Sequence, residues 1–575
     1  MQAASTCRWL VNRTNADYVE YVARSASVSL PLAQVMINRG LKTADHIHAF
    51  LNPSIEKLSD PFDLPDMQKA VGRIRQARQR HERILVCGDY DADGVSATAI
   101  LMEAFRMLGI DADFFIPHRI EHGYGFGPAG IERAKAVGAS LIVTVDCGIS
   151  AFDTVDAARS AGIDVVITDH HEAVPAATDH GSWYRLPAAA AVVNPKLLPD
   201  DLQLKGLCGA GVAFKIAQAL FDNRIGDVAH LFDLAAIGTS ADVVPLVGDN
   251  RIFVREGLNL IRSNQRPGIQ ALREAAGLKP DYFKPSFLPY ILIPRINAAG
   301  RVDDASCVVQ LLMTTDRSEA AELAQRLQAL NQKRQEIEES VMAQALEQLA
   351  IREDDCGPIV LAGDGWHPGV LGIVASRLAD QYYRPVLVFS VEDGMAKGSA
   401  RSIPAFNIHH ALGECADLLA RFGGHRQAAG LGLAADRLGA LQARLAGIMA
   451  ETLTQDDFVR VIEIDAAVRI SDITFPLIDE LSRMEPFGFG NAEPLFGCRN
   501  LEPSKARIVG NKHLKMYLRQ NGRGIDSIGF DFGPYLEMVE SASLIDAAFL
   551  PVLNEWEGGR SVQLNLRAIR PSSIT

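Results

Sequence analysis

Cysteine is sparse in this 575-residue chain: the eight cysteines are scattered, and no two stand in a Cys-x-x-Cys pair. That excludes a disulfide frame and a zinc knuckle and suits a reducing, cytoplasmic compartment. Long apolar runs are also missing. None approaches the ~18 residues of a membrane span, so no membrane association is expected. The opening "MQAASTCRWLVNRTNADYVE" lacks a basic stretch followed by an apolar one, the pattern of a secretory signal. Positive charge is short as well, with 57 Lys and Arg against 70 Asp and Glu. The net charge of −13 argues against a uniformly basic nucleic-acid binder. What is present, 48% apolar and 22% charged residues, is the composition of a soluble globular protein with room for several domains.

The distribution of charge says more than its sum. Between Arg251 and Arg301 nine Lys or Arg face three Asp or Glu, and between Arg499 and Arg523 seven face one. Either stretch is a solvated face or part of a phosphate-tracking path.

After the Pro-rich "LNPSIEKLSDPFDLP", short apolar strands recur at 84–88, 112–117, 141–146, 163–168 and 190–194. Most are separated by helix-like segments such as Gly94 to Leu108. Such alternation predicts a parallel sheet flanked by helices, with its site outside the carboxyl ends of the strands. From Asp316 to Arg352, Leu323, Leu327, Leu330, Ile337, Val341, Ala345 and Leu349 recur at helical spacing without Gly or Pro. A helix of that length, about 55 Å at 1.5 Å per residue, predicts a rigid bridge. A second, smaller α/β domain follows, containing "PIVLAG", "PVLVFS", "MAKGSAR" and "RFGGHRQAAG". From about Val459 the half-buried strand patterns "VIEIDAAVRI", "KMYLRQ" and "SVQLNLRAI" predict a small β-barrel. The expected division is an N-terminal segment 1–60, an α/β domain 61–315, a linker helix 316–352, a second α/β domain 353–455 and a β-barrel 456–575.

The chemistry concentrates in "CGDYDADGVSATAI", where Asp89, Asp91 and Asp93 alternate directly after a strand. Three like charges in five residues repel one another and resist desolvation, which favours a neutralising cation. An EF-hand fails on register. With Asp89 at loop position one, position twelve is Ile100 where a glutamate is required. Two further strands end in acids or imidazoles, "LIVTVD" at Asp146 and "DVVITDHH" at Asp169, His170 and His171; Asp242 follows in "GTSADVVPL". Taken singly, an Asp at a strand end is a helix cap, and adjacent histidines diverge. Jointly, these carboxylates and imidazoles suit Mn²⁺ or Mg²⁺, with donors enough for two ions of the kind that drive in-line phosphoryl displacement.

The ordered set "DYDADG", "VDCGIS", "TDHH" and "GTSADVVPL" resembles the four motifs of the DHH phosphoesterase superfamily, and "GGHRQAAG" resembles the Gly-Gly-His signature of its associated second domain. With "LIPRINAAGR", "GWHPGVLGIVASRL", "KGSARSI" and "PFGFGNAEPLF", the chain resembles the superfamily's bacterial family of single-strand-specific 5′-to-3′ DNA exonucleases. By position, the resemblance implies Asp91, Asp93, Asp146, His170 and Asp242 as metal ligands, with Asp146 bridging two ions. His171 is left for the scissile phosphate or the leaving oxygen, and Asp169 for orienting an imidazole. One departure stands out: Cys87 occupies a position where many members carry histidine, and Asp89 is the residue that completes that coordination sphere. The resemblance also implies phosphate contacts from Arg119, Arg295, Asn297, Arg301, Ser399 and Arg401, with close backbone approach at Gly423, Gly424 and His425. Trp366 and Phe406 read as core rather than as stacking platforms. "GFGPAG" (125–130) is not a dinucleotide loop, because its lead-in is polar and Pro128 interrupts it.

The expectation is therefore a two-metal enzyme that degrades single-stranded DNA from the 5′ end to mononucleotides in repair and recombination. Its strand selectivity would come from a cleft between domains too narrow for a duplex. Single-strand-binding protein and recombination helicases are the partners implied, and a monomer is the default state. A small-substrate pyrophosphatase or dinucleotide phosphodiesterase would share the motifs without the C-terminal barrel, and a non-catalytic scaffold would have lost the carboxylates.

Overall fold

Ile84–Cys87 and Leu141–Val145 carry no charged residue, and every one of their residues is buried. Strands of that kind pack between two layers of helices. The computed structural model describes residues 7–119, 121–123, 125–176, 183–200, 202–279, 282–350, 357–556 and 559–572. Its contacts divide it into two units, Ser54–Thr454 and a second that joins the chain up to Pro53 with the chain from Gln455 onward.

The first unit opens on a five-stranded parallel sheet. Strand β1 (Ile84–Cys87) runs into helix α1 (Ala92–Leu108), followed by β2 (Ala112–Phe115), β3 (Leu141–Val145), β4 (Asp164–Thr168) and β5 (Ala191–Val193). Their spatial order is β2-β1-β3-β4-β5. Alternate residues of β1 face opposite layers: Ile84 and Val86 join the core around α1, while Leu85 and Cys87 join Phe126 and Ile131 on the other face. The order reverses at β1, whose two neighbours come from opposite directions, and a crevice opens there beyond the strand ends. The helices α2 (Gly209–Leu220), α3 (Phe232–Ala241), α4 (Gly248–Arg262) and α5 (Ile293–Val302) complete this half. Strands and helices agree with the expected spans to within a few residues, and Pro128 opens a helix in "GFGPAG".

Helix α6 (Arg317–Ala350) buries Ala320, Ala324 and Leu327 in the first core and Val341, Met342 and Ala345 in the second, so one helix belongs to both. Residues 351 and 352 of the expected linker lie outside the described residues. Beyond it stand β6 (Ile359–Asp364), α7 (Pro368–Tyr382), β7 (Val386–Glu392), β8 (Met395–Arg401), β9 (Arg421–His425) and β10 (Ala428–Ala434). They form a mixed sheet in the order β9-β10-β8-β7-β6. Trp366 and Phe406 are buried.

In the second unit, β11 (Phe496–Val509), β12 (His513–Gln520), β13 (Arg523–Gly529), β14 (Ile545–Trp556) and β15 (Gly559–Pro571) run in the order β11-β12-β13-β15-β14, and β14 pairs back on β11. The result is a closed five-stranded barrel. Residues 1–60 stand apart in the sequence reading. In the structure, N-terminal helices bury Val22, Leu32, Met36 and Ile47 in the same core as Phe496, Leu518 and Phe549.

Part of the cation-rich stretch 251–301 serves the protein's own interior. Arg251 and Arg273 are buried, and Arg266 is clamped between Asp233 and Glu103. Likewise the fully buried Lys215 on α2 pairs with Asp249 on α4 at 2.5 Å and donates to the carbonyl of Ser59 at 2.7 Å. Removing one member of such a pair strands a charge. Lys215→Met is expected to destabilise the first unit by about 3–5 kcal/mol in urea unfolding, and a loss under about 1 kcal/mol would refute that account.

Candidate metal centre

Every strand of the first sheet delivers its next residues to the same edge. Asp91 is the N-cap of α1, its Oδ1 accepting from the amides of Asp93 (3.0 Å) and Gly94 (3.1 Å). That cap starts the helix inside what an EF-hand would need as loop. Asp93, on the first turn, accepts from the amides of Gly209 (2.6 Å) and Ala210 (2.8 Å) at the start of α2, where the helix dipole favours an anion. Asp146 follows β3 with φ 61°, in the left-handed region, which turns its carboxylate into the crevice. A Cβ on Gly209 would come within 2.5 Å of Asp146, and one on Gly238 within 2.4 Å of Asp93 Oδ1, so both helices approach only as glycine.

His170 closes the group. Its Nε2 stands 3.0 Å from Asp146 Oδ1 and 3.8 Å from Asp93 Oδ2, and its Nδ1 stands 3.6 Å from Asp242 Oδ2. Burial, followed by the charge of His171, pushes the His170 pKa down to about 3, so the ring is neutral. Burial and mutual repulsion push the acids the other way. Asp93 rises to about 6 and Asp242 to about 8, while Asp89 and Asp146 rise well above the usual range. Asp89 Oδ1, Asp146 Oδ1 and His170 Nε2 are buried with no hydrogen-bond partner. Buried oxygens and an imidazole lone pair left without donors are what a hard divalent cation satisfies. The donor atoms fall into three groups, Asp93-His170-Asp242, Asp89-Asp91-Asp146 and Asp146-His170-His171, each with its atoms within 4.8 Å of one another. The residues present fit such ions.

The neighbouring imidazole is held differently. Asp169 Oδ1 lies 2.7 Å from His171 Nδ1 and accepts from the His170 and His171 amides, while its Oδ2 accepts from the Ile149 amide. Burial opposes a charge on His171, but the bond to Asp169 together with the charges of Asp169, Asp242 and Asp89 outweighs it and raises the ring to about 9. Cys87 lies on the far face of the sheet, buried against Gly130, with its thiol pushed up by burial, and it enters none of the donor groups.

Arg119 and Arg301 stand near the acids, with Arg401 beside Arg301. Arg119 donates to the carbonyl of Gly300 (3.1 Å) and lies 4.3 Å from the Tyr90 ring centre. Arg301 donates to the carbonyl of Gly369 (2.9 Å), and Arg401 to Ser399 Oγ (3.1 Å) and the carbonyl of Ala400 (2.8 Å). Burial, then Arg119, Arg334 and Arg401 among its neighbours, lowers Arg301 to about 10. These cations bond neutral groups, so their charge is left for an anion. Two expected contacts go inward instead. Arg295 donates to Gln328 on α6 (2.8 Å) and to the carbonyl of Ile291, and Asn297 Oδ1 accepts from the Ala92 amide (2.8 Å). Gly423 and Gly424 lie within strand β9; at Gly424 a Cβ would meet the carbonyl of Ala428 at 2.3 Å, so the hairpin itself requires glycine there. His425 is close enough to His170 to disfavour its protonation.

Sequence reasoning missed Lys196 and His367. Asn194, at the end of β5, donates to the carbonyl of His171 (2.9 Å) and accepts from the Lys196 amide (2.8 Å), and the charge of Lys196 disfavours protons on both His170 and Asp242. The strand-end rule that picks out Asp146 picks out this pair too. His367, whose Nδ1 accepts from the Gly369 amide (3.1 Å), sits in "GWHPGV" and had no such rule to reveal it.

Comparison with known proteins bears on this arrangement. Family models described as "DHH family, N-terminal domain", "DHHA1 domain" and "RecJ OB domain" match residues 83–239, 356–451 and 464–568. The single-stranded-DNA-specific exonuclease RecJ of Dickeya dadantii is 39% identical over 572 residues, covering 94% of this chain and 96% of that protein. That of Escherichia coli is 37% identical over 565 residues, with the same coverage. The chain belongs to the RecJ family. The crystal structure of Thermus thermophilus RecJ in complex with Mn²⁺ aligns with a TM-score of 0.83 at 31% identity, covering 99% of this chain and 80% of that one. The RecJ structure with Mg²⁺ from the same organism aligns with a TM-score of 0.79.

Two outcomes follow from the geometry. Asp242 at about 8 and His171 at about 9 hold protons in the folded chain that they give up when unfolded, near pH 3.9 and 6.5. The stability each contributes is lost as pH rises through its folded value, while the opposite pull of His170, whose folded value is about 3, is complete by about pH 6.5. The chelator-treated protein should therefore melt at lower temperature at pH 9 than at pH 7, and added divalent ion should raise Tm more at the higher pH; a chelated Tm that climbs over that range would contradict this. Separately, Gly209→Ala should displace Asp146 and weaken ion binding, read by calorimetry, about tenfold or more. Unaltered affinity would show that the crevice yields without cost.

Proposed function

We propose that this chain is a metal-dependent exonuclease that degrades single-stranded DNA from the 5′ end to mononucleotides, serving repair and recombination. The observation that carries the reading is the buried set of unpartnered donors beside unneutralised arginines, in a chain of the RecJ family. Asp93, His170 and Asp242 would hold one divalent ion, Mn²⁺ or Mg²⁺, and Asp89 and Asp91 the other, with Asp146 shared between them. When bound, such a pair supplies an activated water and neutralises charge on the phosphoryl oxygens. Asp169 fixes His171 as a charged ring, able to neutralise the scissile phosphate or to give its proton to the leaving oxygen. Arg119, Arg301, Arg401 and Ser399 offer donors to the terminal phosphate. Gly423 and His425 bring the β9 hairpin toward the same place. Arg295 and Asn297 position that surface through their bonds to α6 and α1.

A strand-degrading enzyme meets its substrate as helicases unwind it and single-strand-binding protein coats it, so these are the partners inferred. We infer a cytoplasmic monomer; among the described residues no helix is long and apolar enough to cross a membrane. The test is nucleotide release from end-labelled single strands, blunt duplexes and duplexes with 5′ or 3′ overhangs, each with Mn²⁺, Mg²⁺ or chelator. Mononucleotides should come only from free single-stranded 5′ ends, and Asp146→Asn should cut the rate more than about 100-fold. Release from 3′ ends, or undiminished release with chelator, would sink the reading.

A further inference from the structure

Arg119 follows β2 on a stretch that belongs to no helix or strand, yet a phosphate contact needs its guanidinium held at a fixed point. Arg301 stands near it, and two like charges drive each other apart. A long side chain also loses rotamer freedom when it is fixed. Both effects favour an Arg119 turned away into water, so some contact must oppose them. The structure supplies two. Its Nε donates to the carbonyl of Gly300 at 3.1 Å, and its guanidinium lies 4.3 Å from the centre of the Tyr90 ring, well inside the range of a cation–π contact.

Tyr90 stands between Asp89 and Asp91 and packs into the first core, 8% exposed. Its place is set from two sides. A Cβ on Gly300 would come within 2.3 Å of the Tyr90 carbonyl oxygen and 3.2 Å of its Cβ, so α5 rests directly on the tyrosine and only glycine fits there. Gly300 therefore touches both partners of the cation–π pair. The next residue, Arg301, donates to the carbonyl of Gly369, in the first turn of α7, at 2.9 Å. Tyr90, Arg119, Gly300 and Arg301 form one connected piece that runs from the metal-site acids to α7. A ring face attracts a cation without neutralising it, so Arg119 is fixed and still available to an anion. A carboxylate in the ring's place would hold the guanidinium more firmly and cancel its charge.

We propose that Tyr90 is a positioning residue for recognition of the strand's 5′-terminal phosphate, its ring presenting Arg119 to that phosphate beside Arg301. The inference rests on the exonuclease reading above and deepens it, because it makes the residue between two candidate metal ligands a support of the phosphate contact. Asp89 and Asp91 are its chain neighbours, so the terminal phosphate is held at a set distance from the ions. Release of one nucleotide at a time requires that constraint.

The test uses the full-length protein with Mn²⁺ and two oligo-dT strands of equal length, one ending in a 5′-phosphate and one in a 5′-hydroxyl. The readout is the ratio of their kcat/KM values. Tyr90→Leu should cut that ratio about 2- to 30-fold, the range of a cation–π contact. Tyr90→Phe, which keeps the ring face, should restore it. Fluorinated phenylalanines at position 90 withdraw charge from the ring face at nearly constant shape. They should lower the ratio stepwise with each fluorine, and they keep the test decisive if Tyr90→Leu fails to fold. Combined with Arg119→Ala, Tyr90→Leu should lower the ratio no further than Arg119→Ala alone. An unchanged ratio in Tyr90→Leu, an equal loss in Tyr90→Phe, indifference to fluorination, or additive losses with Arg119→Ala would each overturn the proposal. So would a wild type that degrades both strands equally well. A wild type that degrades neither would overturn the exonuclease reading instead.

Discussion

The first unit is organised around a repulsion. Asp89, Asp93, Asp146 and Asp242 are brought together in a crevice where burial, and then the charge of neighbouring aspartates such as Asp91, raises the pKa of each. No folded chain collects such charges by accident, because burying them without counterions opposes folding. The scaffold bears that cost through local geometry: a helix cap at Asp91, two amides at the head of α2 for Asp93, and a left-handed turn at Asp146. The glycines 94, 209 and 238 belong to the same account, since a methyl group at any of them meets backbone or carboxylate. What the geometry leaves unsatisfied, three donor atoms without partners, defines what must bind.

Cations are put to two uses by the same chain. Lys215 and Arg266 are internal counterions tying helices together. Among the described residues, Arg119, Arg301 and Arg401 instead donate to neutral groups and keep their charge for something else. A net charge of −13 is thus compatible with a local anion-binding surface, because fields near a surface are set within about a Debye length.

Helix α6 shows why the two α/β halves act as one unit. Its first turns lie in one core and its last turns in the other, so a single element ties both halves together. Arg295, reaching from α5 to Gln328, fastens the arginine-bearing helix to it.

Much of this was legible in the sequence, because the signals are local. Alternating apolar runs mark strands, a parallel sheet puts its site at their carboxyl ends, and the residues just after those runs are the acids and imidazoles found in the crevice. The long helix followed from spacing alone, and the barrel from period-two strands. Other features depend on what packs against what. Nothing in "PRINAAGR" says that Asn297 accepts from the first turn of α1, or that Arg295 turns to α6 while Arg301 stays among other arginines. Gly424 reads like a ligand-cradling residue, yet the carbonyl of Ala428 on the facing strand already forbids a side chain there. The N-terminal helices join the C-terminal barrel, more than four hundred residues away, because their apolar faces find their partner only there. Sequence by itself determined which residues carry charge and the local element each sits on, since both follow from composition and periodicity. Only the tertiary structure decided which charges are neutralised by the protein and which are left for a ligand, because that depends on long-range neighbours and on exclusion from water.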